Sequence, residues 1–567
     1  MPDTEELSPT AVVAAYHERT KHHFGRYAAA LGYLDWATQP NPFRSFAGAA
    51  TQRLPLDLED RGLPYRSLYS PGAVAPAPFE LRSLSRFLRY ALSITAWKEA
   101  PGARWSLRAN PSSGNLHPTE GYLVLPALDG FDGGAGVWHY APRLHALERR
   151  AALDTSVVTA LLAGLPAGSF LVGLSSLHWR EAWKYGERAY RYCQHDVGHA
   201  LGALRLAAAA LGWKLRLLGG SSDADIAGLL GLDREQDFDG AELEEPDLIA
   251  AVTANPSEPF PAVDWRFDSA ALAAVHRAPW SGRANALSSY HACDWPVIDE
   301  VAHAARFAGG AEPRADFADF PAAGALAGAG DAGGPSAHGV ILGRRSALSF
   351  DGLTSISRAA FLRMLGRLMP ARGNASAPFD SLPWRPRLHL GLYVHRVEDL
   401  PSGLYALVRD PARVDEVRAA MSKDFRWEPP GDTPASLPLY LLTPGDVRAT
   451  AATVSCGQEI ASDGAFAVTM LAAFDRSLAT DGAHAYRRLH WEAGLIGQVL
   501  YLEAEDAGLR ATGIGCYFDD PTHRVFGLEG TTLQSLYHFT VGRPMEDARL
   551  TTLPAYGAVP EEGPFTD

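Results

Sequence analysis

The chain has 567 residues, 47% of them hydrophobic and 20% charged, with a formal net charge of −14. That length exceeds one ordinary core, so two domains of comparable size are expected. The acidic balance argues against a nucleic-acid or anionic-membrane partner. No apolar run reaches membrane-spanning length, and Met1-Pro2-Asp3-Thr4-Glu5-Glu6 has no signal-peptide character, so a cytoplasmic protein is expected.

In chain order, Phe43-Arg44-Ser45-Phe46 is a first pairing of a guanidinium with a hydroxyl. Next comes Arg108-Ala109-Asn110-Pro111-Ser112-Ser113-Gly114-Asn115-Leu116-His117-Pro118, feeding an apolar strand at 121–125. Pro111 and Pro118 fix φ, and Gly114 permits a backbone that side chains forbid. Ser112, Ser113 and Asn115 offer hydroxyl and amide groups suited to the edge of a flat heteroaromatic ligand. Strand-like Val137-Trp138-His139-Tyr140 follows, with a charged helix expected near Leu147-Glu148. A strand at 169–174, the charged Glu181-Ala182-Trp183-Lys184-Tyr185, a long helix at 190–211 and a strand or turn at 214–218 complete the first half. Residues 264–307, with Trp265, Trp280, His291, Cys293 and Trp295, form an insert or lid. Residues 308–339, rich in Ala, Gly, Pro and Asp, read as a flexible linker.

The second half opens on strand-like Val340-Ile341-Leu342, then Gly343-Arg344-Arg345-Ser346. Two guanidiniums and a hydroxyl suit a phosphate, although alone they read as solvated surface. Strand-like 403–407 precedes a helix near Val414-Asp415. A strand at 465–470 and a long helix at 486–507 lead to Ala511-Thr512-Gly513-Ile514-Gly515-Cys516, and Arg543 and Arg549 lie near the end. Much of this repeats the first half. With a constant offset of 296 and no gap, Tyr190 falls on Tyr486, Arg191 on Arg487, Gly198 on Gly494, Asp223 on Asp519 and Gly231 on Gly527. An α+β order recurring twice reads as a tandem duplication. The four cysteines, Cys193, Cys293, Cys456 and Cys516, contain no Cys-x-x-Cys pair, which suggests neither a zinc site nor a disulfide framework. Cys456 reads as a small buried residue. His195 and His199, four apart on a helix, have no third ligand and read as packing residues, so no metal is expected.

The stretch Pro111-Ser112-Ser113-Gly114-Asn115-Leu116-His117-Pro118 resembles the flavin-contacting turn of the nitroreductase superfamily. Its form is most similar to the SagB/ThcOx-type dehydrogenases, which oxidise azolines to azoles in modified peptides. The resemblance implies FMN as cofactor and an α+β fold of two nitroreductase-like domains, residues 1–263 and 340–567, paired as an intrachain pseudo-dimer. It assigns the ring edge to Arg108, Pro111, Ser112, Ser113 and Asn115, and the phosphate to Arg344, Arg345 and Ser346. Gly513, Ile514 and Gly515 become the loop whose backbone N–H meets flavin N5. Arg549, or alternatively Arg543, would close on the phosphate. Lys184 and Tyr185 resemble the azoline dehydrogenases' acid/base pair, the cation lowering the phenol's pKa; the repeat places Thr480-Asp481 there. His117 would orient substrate or satisfy a carbonyl.

The ring-edge turn is missing from the second half, and the first half offers only Phe43-Arg44-Ser45-Phe46 and Leu215-Arg216-Leu217-Leu218-Gly219-Gly220 for the other motifs. One composite flavin site per chain is therefore expected, its symmetry mate decayed. The implied function is an FMN-dependent dehydrogenase acting on an azoline-like or related heterocyclic or peptidic substrate, with electrons passing to oxygen or another acceptor. A biosynthetic partner enzyme would supply peptide recognition; the pseudo-dimer is fused within one chain, and the sequence leaves open whether such chains pair further. The alternatives are an NAD(P)H-dependent nitro or quinone reductase, and a flavin-free scaffold that docks a peptide.

Overall fold

Two antiparallel sheets carry the same strand order. The computed structural model describes residues 7–56, 59–260, 265–310, 315–322, 333–374 and 376–557. In the first half the sheet runs Ala50–Arg53, Ala146–Ala152, Gly136–Ala141, Thr119–Leu125, Ser169–Ser176, Glu245–Thr253, Lys214–Leu217. In the second it runs Leu439–Pro444, Gly403–Leu407, Leu388–Val394, Phe466–Ala473, Leu533–Gly542, Arg510–Ile514. The central strands are buried on both faces, which is why they read as apolar runs rather than alternating ones.

Between the sheets lie two 22-residue helices, Ala189–Ala210 and Ala485–Asp506, buried nearly all round. Their crossing is reciprocal. A Cβ on Gly198 would collide with the backbone of Trp491, and one on Gly494 with the backbone of His195. The Tyr190 and Tyr486 rings stack with their planes 2° apart. Arg191 donates to Asp519 at 2.9 Å, and Arg487 to Asp223 at 2.6 Å. Every residue in these pairs maps on its counterpart by the offset of 296, so the two halves meet about a pseudo-two-fold axis, as subunits of an isologous dimer do.

The Asp519 cluster couples that interface to pH. Burial by itself would push the carboxyl up; Arg188 and Arg191 overcome it and hold Asp519 well below the usual carboxylate range. A depressed folded-state pKa stabilises above the unfolded value of about 4 and is lost as pH falls below it. Asp519→Ala, which strands two buried guanidiniums, should cost about 3–5 kcal/mol at neutral pH. Denaturant unfolding followed from pH 7 to 3 should show the gap to wild type narrowing only on the acid side.

Several sequence expectations change. Leu147-Glu148 lies in the strand Ala146–Ala152, not a helix, because it pairs with its neighbours on both sides. Val340-Ile341-Leu342 lies in the helix Ala337–Gly343, capped by Ser336, whose hydroxyl accepts from the Gly339 N–H. The described parts of 308–339 are docked rather than free. Phe317 and Phe320 are buried, Arg385 pairs with Asp319 at 2.8 Å, and Ser336 donates to Asp60 at 2.5 Å. Most of the Gly-rich core of that stretch, 323–332, lies outside the described residues. The segment 264–307 packs along the first half: Arg283–Ala284 pairs with Phe46–Ala47, and Trp265 donates to the Ala163 carbonyl. Arms also cross between the halves. Thr551–Pro554 pairs with Ile94–Ala100, and the helix Pro9–Arg19 places His17 against Tyr486 and Gln534.

Candidate active site

A cavity of about 420 Å³ opens where the halves meet. From the first half, Arg108, Pro111, Ser112, Ser113 and Asn115 line it; from the second, Arg344, Arg345, Ser346, Gly513, Ile514 and Gly515 do. Residues 229 or more positions apart are thus brought to one wall by the reciprocal helix crossing and by the hairpin Ile94–Ala100/Ala103–Arg108, which delivers Arg108 to the start of the turn. No described residue of 264–307 lines the cavity, so the lid expectation for that segment does not hold there.

The turn is strained and held from outside. Gly114, Asn115 and His117 all have positive φ, 56°, 60° and 53°. For Asn and His such conformations persist only where the surroundings dictate them. Three contacts do so. Asn115 Nδ2 donates to the Ser106 carbonyl at 2.7 Å, the His117 N–H to Ser112 Oγ at 2.7 Å, and the Ser113 N–H to the Asp196 carboxylate at 3.1 Å. The Ser112 hydroxyl and the Asn115 amide nitrogen therefore hold the turn itself, and the groups left facing the cavity include the Asn110 side chain, whose Oδ1 is buried without a partner. Both ring nitrogens of His117 are likewise buried and unpartnered, and burial keeps the imidazole neutral by pushing its pKa well down.

At one end the cavity is cationic. Arg108 and Arg344 are buried with an unpartnered Nε each, and Arg344 donates to the Arg108 carbonyl at 2.8 Å. Burial pushes Arg108 down to about 10, and burial together with the charge of Arg344 does the same to Arg345. Among the described residues none of the three makes a carboxylate salt bridge, and Lys98 adds a further basic side chain to the lining, whereas Arg510 there is paired with Glu546 at 2.9 Å. Such a cluster is relieved by an anion. The donors fit a phosphate, and the adjoining space fits a flat ring. Ser346 shares a hydrogen bond with Tyr501 at 2.9 Å, and the Gly513 N–H donates to the same phenol at 3.1 Å. An N–H that meets a bound ring must therefore come from beyond Gly513. Arg549 is not part of this end: its side chain is 86% exposed and pairs with Asp547 of its own turn. Arg543, the alternative, is exposed and donates to the Gly508 carbonyl.

Lys184 and Tyr185 stand over the turn. A Cβ on Gly114 would lie 2.5 Å from the Tyr185 hydroxyl and 3.2 Å from Lys184 Nζ, so only glycine lets both reach this wall. The expected phenolate is not what the surroundings favour. Burial, then the nearby carboxyls of Glu181 and Asp196 and the Tyr192 phenol, push Tyr185 well above its ordinary pKa, and Lys184 does not offset them. Tyr185 is a protonated donor at neutral pH.

The titrating group at the wall is one that sequence reasoning missed. Asp196, buried on the helix Ala189–Ala210, lines the cavity, and burial raises its carboxyl to about 7 against the hydrogen bonds from the turn. Behind it Glu181 is buried with neither oxygen hydrogen-bonded, and burial and Asp196 push its pKa well up. The signal available was helical spacing: Tyr192, Asp196 and His199 fall on one face of the long helix and line the cavity together. His195 stacks on Tyr537 with ring centres 4.2 Å apart, and His199 Nε2 meets the Tyr537 hydroxyl at 3.2 Å.

The pseudo-symmetric position holds a second cavity, of about 1150 Å³. There Arg205 replaces Tyr501, Arg216 replaces Thr512, and Leu217 stands where Gly513 stands in the first site. Arg205 is tied to Asp380 at 2.7 Å. Arg44, the thinner phosphate motif, is buried against Glu244 and the carbonyls of Glu242 and Asn285, and it does not line this second cavity.

The model of the nitroreductase family matches residues 79–240 and 393–543, one segment in each half. The chain belongs to the nitroreductase family. It is 28% identical over 134 residues to the microcin B17-processing protein McbC of Escherichia coli, covering 22% of this chain and 49% of that protein. It is also 28% identical over 160 residues to MJ1384 of Methanocaldococcus jannaschii, named as a nitroreductase, covering 27% of this chain and 75% of that one. The chain thus spans about half of the first relative and three quarters of the second. A crystal structure of a nitroreductase-type protein from Anabaena variabilis superposes with a TM-score of 0.67 at 21% identity, over 94% of this chain and 99% of that one. The tandem nitroreductase fold therefore extends across nearly the whole chain.

Proposed function

We propose that this nitroreductase-family oxidoreductase is an FMN-dependent dehydrogenase that aromatises an azoline-like heterocycle in a natural product or modified peptide. The observation that carries the reading is Lys184 and Tyr185 seated over Gly114, in the half that holds the ring-edge turn, where the repeat has only Thr480-Asp481. The similarity to a microcin-processing protein supports it, as does the fit of the cationic end to a phosphate.

Arg108, Arg344, Arg345 and Ser346 would hold the phosphate of FMN, and the 111–117 turn with the 513–515 loop would flank its ring. Bound there, FMN supplies a two-electron acceptor for a hydride. The chain's own groups handle the proton. Asp196, half ionised near pH 7, takes the proton from the acidic C–H of the heterocycle. Tyr185 donates a hydrogen bond to the ring heteroatom or carbonyl where charge develops. Lys184, part-exposed, stands beside it with Nζ 5.3 Å from the phenol ring centre. Peptide recognition would come from a biosynthetic partner protein.

Released flavin counted against protein tests the reading. One FMN per chain is expected, because Arg205 and Arg216 line the second cavity where Tyr501 and Thr512 line the first. Two per chain would show that site to be functional, and none after reconstitution would favour a peptide-docking scaffold. Arg344→Ala, which removes a buried charged donor worth about 1.5–3 kcal/mol, should weaken FMN binding by roughly 10- to 100-fold, read by flavin fluorescence titration.

A further inference from the structure

Cys456 and Cys516 meet at the edge of this cavity. Cys456 follows the helix Arg448–Val454 with φ +57°, and Cys516 directly follows Gly515 of the cavity loop. Their sulfurs are 3.0 Å apart, about 1 Å longer than a disulfide bond (~2.05 Å). The two loops are stitched together by Gln458, whose Nε2 donates to the Ser455 carbonyl at 2.8 Å and the Cys516 carbonyl at 2.9 Å. His22 stands on the other side of Cys516. Its Nδ1 accepts from the Ala28 N–H at 2.9 Å, which fixes the proton on Nε2, the nitrogen left for the sulfur. Arg188 donates to the Gly515 carbonyl at 3.3 Å, beside the same atoms. A half-buried sulfur with a cation, an imidazole and a second thiol around it is the setting of a redox cysteine rather than of a packing residue.

We propose that Cys456 and Cys516 are a peroxide-oxidised dithiol pair, Cys516 the attacking sulfur and Cys456 the resolving one. The Cys516 thiolate attacks hydrogen peroxide, the O–O bond breaks, and a sulfenic acid and hydroxide result. The Cys456 thiol attacks that sulfur, an S–S bond forms, and the sulfenic oxygen leaves as water. The two sulfurs together lose two electrons, the hydroxide takes up the proton that the Cys516 thiol released on ionising, and the peroxide ends as two waters. The direction follows from what surrounds each sulfur: the hydrogen bond shared between the two sulfurs, then His22 and Arg188, bring Cys516 below the ordinary thiol range against its burial, while Cys456 is pushed up. Cys516 and Gln458 both line the cavity, so the cross-link ties the 513–516 loop covalently to the 455–458 turn at the wall of the site.

The full-length chain, treated with graded hydrogen peroxide, alkylated and digested, should yield a peptide pair joined through Cys456 and Cys516. That pair should appear before Cys193 or Cys293 loses its alkylation, and dithiothreitol should reverse it. Cys456→Ser should leave Cys516 as a sulfenic acid that dimedone labels. Alkylation of both cysteines persisting at a peroxide dose that oxidises Cys293 overturns the proposal. So does a cross-link that joins either of them to another cysteine, or dimedone on Cys456 of the wild-type chain.

Discussion

Tyr185→Phe should lower azoline oxidation by roughly 10²- to 10⁴-fold while leaving FMN content at the wild-type level. The hydroxyl lies over Gly114 at the cavity wall, so its loss removes a donor at the reacting end and nothing from the phosphate end. Reduction of a nitroaromatic by NADPH needs no such donor and should persist in the same variant. Loss of both activities, or of neither, would count against the dehydrogenase reading. The pH profile separates the phenol from the carboxylate. Asp196 must be ionised to accept a proton, and its carboxyl titrates at about 7, so kcat/KM should rise with pH to a plateau above neutrality. Asp196→Asn should remove that limb and most of the rate. The same shift has a cost in stability. A carboxyl raised from an unfolded value of about 4 favours the folded state fully below pH 4 and loses that contribution as pH climbs through 7. Asp196→Asn should therefore be more resistant to denaturant than wild type above pH 7, and not at pH 4.

The architecture was legible because the duplication is gapless where packing is tightest. The helices Ala189–Ala210 and Ala485–Asp506, and those at Asp223–Leu230 and Asp519–Phe526, match to the residue at the offset of 296. The offset changes outside that block: Leu123 opposes Val172 where Leu392 opposes Val468, and at the last strand Val252 opposes Phe170 where Val541 opposes Phe466. The longer loop that precedes Glu245–Thr253 absorbs the difference. What sequence could not carry was long-range. Nothing local in Thr551–Pro554 announces that it will pair with Ile94–Ala100, more than 450 positions away. Val340-Ile341-Leu342 was misread because three apolar residues fix no period, whereas Ser336 three residues before Gly339 was the helix start signal. Tyr185 was misread for a related reason. Its neighbour Lys184 is adjacent in sequence, with Nζ 5.3 Å from the ring centre, but burial, Glu181 one turn earlier on the same helix and Asp196 on the next decide the phenol's state. Asp196 acquires its role from Ser113, 83 positions earlier.

Gly198→Ala and Gly494→Ala should each destabilise the chain, by similar amounts of roughly 1–3 kcal/mol, although alanine is the better helix former by about 1 kcal/mol. The reversal of sign is the diagnostic. In an open helix the substitution would stabilise; at these two positions the new methyl meets the facing helix's backbone, which cannot rotate away. Gly202→Ala is the milder comparison, since its Cβ would lie 3.0 Å from Gln498 Cβ and 3.6 Å from Leu495 Cγ, tight contacts without the overlap met at Gly198 and Gly494. It should fall between neutral and mildly destabilising in the same denaturant titration. Equality of the first two effects is what the pseudo-two-fold axis requires, because each glycine occupies the other's environment. Any separation of the helices also parts the two walls of the composite cavity. Gly494→Ala should therefore release FMN at a denaturant concentration below that at which far-UV ellipticity is lost. Simultaneous loss of both signals would mean that the crossing holds the fold without specifically holding the site.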